Sequence, residues 1–129
     1  MTAIMDLNRL LASMEPELFA GAYGYASLPA VPPGLVPFAT VAEAEGLTVV
    51  ALAADLSAAG VAYQGDWARI SLTVHSDLAA VGLTAAIAAA LTALGISANV
   101  VAGYYHDHVF VPWQRRDDAM AALRALRGV

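Results

Sequence analysis

The chain has three histidines, and two of them stand two apart in "GYYHDHVFVP" (Gly103–Pro112), as His106 and His108 around Asp107. On a strand, residues two apart point to one face. The pair could therefore begin a metal site, or an acid/base couple in which Asp107 orients one imidazole. A zinc site takes three or four protein ligands. Here His75 is the only histidine left, and no HExxH spacing or paired acidic motif adds to the set. A nucleophile is missing too, since there is no G-x-S-x-G and no cysteine. A polar turn whose side chains cap strand ends or face water fits the same residues with fewer assumptions. We therefore expect no catalytic residue, no metal site and no cofactor.

The loop "HSDLAAVGLTAA" (His75–Ala86) carries a different kind of chemistry. It leads from an alternating strand into a helix, and the first N–H groups of a helix have no intrahelical partner. Such an end attracts carboxylates, and Gly82 lets a ligand or a neighbouring backbone approach closely. The alternative reading is purely local, with Ser76, Asp77 and Thr84 capping and shaping the turn.

Composition narrows the partners. Eleven acids face six bases, every base is Arg, and the formal net charge is −5. Without Lys there is no phosphate-binding Walker lysine, Schiff base or lysine general base. The acidic balance also argues against nucleic acid, which needs a basic patch. Residues 1–66 hold seven acids and one Arg, against four acids and five Arg in residues 67–129. The absence of cysteine excludes disulfides and thiolate-bound metals. "MTAIMDLNRL" lacks a basic start followed by a long apolar run, so a cytoplasmic protein is expected. From Leu78 to Tyr105 no residue is charged, a length that could span a bilayer. Gly95, Ser97 and Asn99 interrupt that run, and its second part is rich in β-branched residues. A buried helix followed by a buried strand fits better than a membrane span.

At 60% hydrophobic and 13% charged, 129 residues can bury a substantial core. Asp6 should cap a helix over "LNRLLASM", which Pro16 ends. "AYGYASL" (Ala22–Leu28) reads as a strand, and Pro29–Pro37, with four prolines, as a rigid connection. Phe38–Ala42 and Leu47–Leu52 would form a hairpin turning at Glu45-Gly46. "ADLSAAG" should be a short helix capped at Asp55 or its neighbour and stopped by Gly60. Tyr63–Trp67 reads as a turn, and Trp67–His75 as a strand burying Ile70, Leu72 and Val74. "LTAAIAAALTAL" follows as a helix closed by Gly95. Then come the strand "ISANVVAGYY", a turn at His106-Asp107, the returning strand "HVFVPW" and the helix "DDAMAALRALRG". The second part of the chain is thus β-loop-α-β-turn-β-α, the split βαβ arrangement of ferredoxin-like α+β folds. The first part repeats the same components loosely.

Taken together, "ARISLTVHSDLAAVGLTAAIAAALTALGISANVVAGYYHDHVFVP" resembles the ACT domain family. The nearest likeness is to small stand-alone bacterial ACT-like proteins with two tandem halves, and "FATVAEAEGLTVV" and "DLNRLLASMEPEL" extend it towards the N-terminus. The resemblance implies an antiparallel βαββαβ-type sheet with helices on one face. Residues 1–66 would form a degenerate ACT-like half and residues 67–129 an ACT domain, packed as one unit. It implies a non-enzymatic regulatory module, dimeric, binding a small effector such as an amino acid where two domains or subunits meet. By position, Ser76, Asp77, Leu78, Val81, Gly82 and Leu83 would line that site. Asn99, Val100 and Val101 would face it, and Tyr104, His106 and Asp107 would stand at its rim. The family's usual loop has Asp followed by a basic residue, Pro and Gly, whereas this chain has "DLAAVG". The alternative is an interaction module that only joins subunits.

Overall fold

Asp6 caps the first helix as its type and position require: its carboxylate accepts from the Arg9 backbone N–H at 3.0 Å. The structure, a computed structural model, describes residues 6–74, 77 and 79–128. Helix α1 (Leu7–Ser13) buries Leu10 and Leu11, with Met14 just beyond it. Pro16 then opens strand β1 (Pro16–Leu18), where a residue without an N–H is tolerated. The remaining elements are β2 (Tyr23–Leu28), β3 (Ala39–Glu43), β4 (Gly46–Leu52), α2 (Ala53–Ala58), β5 (Gln64–Leu72), α3 (Leu83–Thr92), β6 (Asn99–Ala102), β7 (Asp107–Pro112) and α4 (Arg116–Ala125). A 3-10 turn over Trp113–Arg115 leads into α4.

Two compact units divide the chain, Met1–Phe19 with Arg69–Val129, and Ala20–Ala68. In the first, the strands run in the order β1-β5-β7-β6. β1 lies antiparallel to β5 through Pro16↔Leu72, Glu17↔Ser71 and Leu18↔Ile70, and β6 antiparallel to β7 from Asn99↔Phe110 to Ala102↔Asp107. Counted from β5, the path is strand, helix, strand, strand, helix, and β1 fills the place of the fourth strand. That is the ferredoxin-like βαββαβ order, with its last strand supplied from the N-terminus. Helices α3 and α4 pack on each other. Their buried residues are Leu83, Ile87 and Leu91 on α3, and Ala119, Met120 and Leu123 on α4. Ile70, Leu72 and Val74 are buried, as the alternation in β5 requires.

In the second unit the order is β3-β4-β2-β5, the same arrangement begun at β2. Its first crossover contains no helix. The proline-rich segment takes that place, and Val31 and Leu35 pack against the core of Ala26, Val49, Ala51 and Leu56. Four prolines remove too many N–H donors for a helix to form there. β5 serves both units, its first residues pairing with β2 and its last with β1.

Several local expectations are corrected. "YQGDW" is not a turn, because β5 already begins at Gln64 and pairs with Tyr25. That strand ends at Leu72, short of His75, which lies outside the described residues. The β3–β4 turn is Ala44-Glu45, since Glu43 and Gly46 pair. Asp55 sits in the first turn of α2 without capping it; Leu52 holds the cap position and makes no side-chain bond. The last hairpin turns over Tyr104-Tyr105 rather than His106-Asp107. The Gly103 N–H donates to the His106 carbonyl at 2.9 Å and closes the turn, so Asp107 begins β7. No helix among the described residues is long and apolar enough to cross a membrane.

Candidate functional site

The loop after β5 is fixed at its start by Thr73, whose N–H and hydroxyl donate to the Glu15 carbonyl at 3.0 and 2.8 Å. Further on, the Asp77 carboxylate accepts from the Ala79 N–H at 2.8 Å, and the Asp77 carbonyl from the Ala80 N–H at 2.9 Å. This Asx-type turn uses one carboxylate oxygen locally. Gly82 then caps α3 with φ 103°, a left-handed conformation that side chains resist, and a Cβ there would lie 3.0 Å from Leu7 Cδ2. As a glycine, Gly82 has no side chain with which to cap the first turn of α3.

Asp77, Leu83 and Asp107 line one cleft, together with Thr84. Ala80, Ala102 and Gly103 complete its wall. The cleft holds about 90 Å³, about three waters' worth. Ligand sites usually start at about 300 Å³, so this cleft is too small to enclose a whole small molecule. Burial raises the Asp107 carboxyl above its ordinary range, against the opposing pull of His106. With Asp77 it gives the cleft an acidic character, and Thr84 adds a hydroxyl.

Of the other residues named by the sequence, Gly82 acts as the helix cap, while Val81 points outward with 83% of its surface exposed. Asn99, Val100 and Val101 lie on β6 opposite Phe110, Val109 and His108, and do not line the cleft. Tyr104 stands at the hairpin tip, 72% exposed, edge-on to Tyr105 at 4.9 Å between ring centres. Ser76 and Leu78 lie outside the described residues. Thr84 reads in the sequence only as shaping the turn, and the small residues Ala80, Ala102 and Gly103 carry no chemical signature there. Only the meeting of the loop with the hairpin marks them.

The two histidines part company. His106 Nδ1 lies 3.2 Å from the Val74 carbonyl, which can only accept, so that nitrogen carries the proton. His108 Nδ1 lies 2.7 Å from Ser71 Oγ, and Ser71 Oγ in turn accepts from Arg69 Nε at 3.2 Å. Ser71 Oγ thus bonds both Arg69 and His108, and the imidazole is held neutral. Its pKa is lowered to about 4 by burial first, then by the Arg69 and His106 charges. A Ser–His contact of this kind differs from a hydrolytic dyad, in which the imidazole meets an accessible hydroxyl through Nε2. Here Ser71 is 3% exposed. Spacing alone puts Arg69 and Ser71 on one face of β5, but their cross-strand partner is non-local and leaves no signal in the sequence. Among the described residues, no group of three or more His, Asp or Glu comes together as a metal-ligand set.

Two ACT domain family models match the chain, over residues 2–68 and 62–125. A crystal structure of a Vibrio cholerae protein of unknown function, described as a possible transport protein, is 46% identical. The match covers 94% of this chain and 95% of that one, with a TM-score of 0.85. Two more distant structures share the fold. An Agrobacterium tumefaciens protein is 18% identical over 88% of this chain and 89% of its own, with a TM-score of 0.75. The ligand-free regulatory subunit of aspartate kinase from Thermus thermophilus is 12% identical over 89% and 97%, with a TM-score of 0.70. Among curated proteins, none matches.

Proposed function

Since the chain belongs to the ACT domain family, with two such domains in tandem, we propose that it is a non-enzymatic regulatory protein that binds a small amino-acid-type effector at the mouth of α3. The observation that carries this reading is the convergence of Asp77, Asp107 and Thr84 on one cleft beside the start of α3, where the cap residue is a glycine. The two carboxylates suit an ammonium group, and the N–H groups at the start of α3 suit a carboxylate. The effector would act by population shift, favouring the arrangement in which its site is complete.

The small volume of the cleft implies a second wall, and in this reading a second copy of the chain supplies it. β6 is the outermost strand of its sheet and carries no charge, so it can pair with another edge. The protein would then work as a cytoplasmic homodimer. Thermal-shift measurement against each standard amino acid at millimolar concentration tests the proposal. One or a few ligands should raise Tm for the wild type and fail for Asp77→Asn and Asp107→Asn. An unchanged Tm throughout would remove the effector.

A second reading draws on the same volume. A cleft of about 90 Å³ can be filled by a side chain from a partner, in which case the surface only joins subunits. A dimer that forms without responding to any amino acid would favour it.

A further inference from the structure

β3 is the outermost strand of the unit Ala20–Ala68. Among the described residues its only strand partner is β4, from Ala39↔Val50 to Glu43↔Gly46. An outermost strand turns a row of N–H and C=O groups away from its neighbour, and proteins blunt such an edge with Lys, Pro, a bulge or a covering loop. β3 reads "ATVAE", without Lys, Pro or Gly, and its register against β4 is unbroken. Thr40, Val41, Ala42 and Glu43 are all exposed, so no described element covers the edge. Its start is held in place, since the Phe38 N–H donates to the Val50 carbonyl at 2.7 Å. The two large apolar side chains that this unit exposes, Val36 at 81% and Val41 at 53%, belong to β3 and the segment entering it.

Charge selects what such an edge accepts. This unit holds four acids, Glu43, Glu45, Asp55 and Asp66, and no Lys, Arg or His. No cation within it can pair with them. Glu43 ends β3, where it accepts from the Thr48 hydroxyl, and Glu45 stands in the turn that follows. A second copy of this edge would bring four more acids and no base. A basic segment is attracted instead. Antiparallel addition makes the better hydrogen bonds, and it sets the first residues of an incoming strand beside Glu43 and Glu45.

We propose that β3 accepts an extended segment of another protein as an added antiparallel strand, with Lys or Arg at its N-terminal end and β-branched residues after them. Backbone hydrogen bonds to β3 supply the affinity, Glu43 and Glu45 the direction, and Val41 the apolar contact. This surface shares no residue with the cleft at the mouth of α3 and does not depend on it.

The test uses the blocked peptide Arg-Arg-Thr-Val-Thr-Val-Thr with a fluorophore on its last residue, titrated with the whole protein in low-salt buffer and read by anisotropy. Two controls separate the causes of binding. One carries Glu in place of both Arg. The other carries N-methyl groups on its Thr and Val nitrogens, which removes strand pairing and keeps the charge. The parent peptide should saturate, and each control should bind at least about tenfold more weakly. Val41→Lys should weaken the parent about tenfold, while Asp107→Asn leaves it unchanged. No saturation with the parent, equal binding of either control, or a wild-type titration in Val41→Lys would overturn the proposal. So would self-association, seen by sedimentation, that Val41→Lys abolishes and Asn99→Lys does not, because a second copy then holds the edge. Peptide binding without a thermal response to any amino acid supports this surface and counts against the effector. The reverse result keeps the effector and removes this surface.

Discussion

His106 and His108 are two residues apart and bond to different partners, and that difference has consequences in pH. His108 is held neutral, with its pKa lowered from 6.5 to about 4. As pH falls below 6.5 the unfolded chain takes up a proton that the folded chain refuses, so stability drops between about 6.5 and 4 and levels off below. His108→Gln should flatten that slope in urea midpoints measured at pH 7 and pH 5; a slope unchanged by the substitution would assign it elsewhere. Asp107 has the opposite sign. Its raised pKa means that the folded chain holds the proton more tightly, so the ionised carboxylate costs stability at neutral pH and acidification relieves the cost. Asp107→Asn should therefore raise Tm at pH 7 and, under the proposed effector function, abolish the amino-acid response, the trade expected of a binding residue kept at the expense of stability. A fall in Tm would show that the carboxylate supports the hairpin instead. Ser71→Ala removes a buried hydroxyl that bonds both His108 Nδ1 and Arg69 Nε, so a loss of about 1–3 kcal/mol is expected by denaturant unfolding.

At the scale of elements, helices and strands are readable where period and caps agree. Asp6 with the leucines of α1, Gly95 after α3, and Ile70 and Leu72 in β5 each combine a local signal with burial on one face. Turn positions are less readable, because a strand end is decided by its partner. "YQGDW" looks like a turn from its own residues, yet Gln64 and Trp67 pair with β2. Tyr104 and Tyr105 look like strand residues, yet the Gly103–His106 hydrogen bond places them in the turn. Gly82 exemplifies a signal with two physical causes, its left-handed φ and the approach of Leu7. Gly82→Ala should cost about 1–2 kcal/mol from the backbone alone. Adding Leu7→Ala should recover only the contact part, and full recovery in that double variant would show that the backbone conformation is not the cause.

For the whole molecule, the tandem halves are legible because they reuse one strand order, while the cleft is not, because its walls come from segments some twenty residues apart and carry mostly small side chains. Asp77 and Asp107 can be picked out as chemistry, but their meeting depends on how the hairpin lies against the loop. The cleft's size is what ties it to assembly. Holding about 90 Å³, it cannot enclose an amino acid by itself, so under the proposed function effector binding and dimerisation should be linked. Ligand would then tighten the dimer, and dilution to monomer would weaken ligand binding by the same factor. Asn99→Lys places a charge on the exposed edge strand β6 without touching the cleft lining. If the proposed homodimer forms through β6, sedimentation should show a dimeric wild type and a monomeric variant at the same concentration, and the variant should lose the proposed thermal response to the effector although Asp77 and Asp107 remain. A monomeric Asn99→Lys protein that keeps the full ligand response would mean that one chain encloses the effector unaided, and the shared-site reading would fall with it.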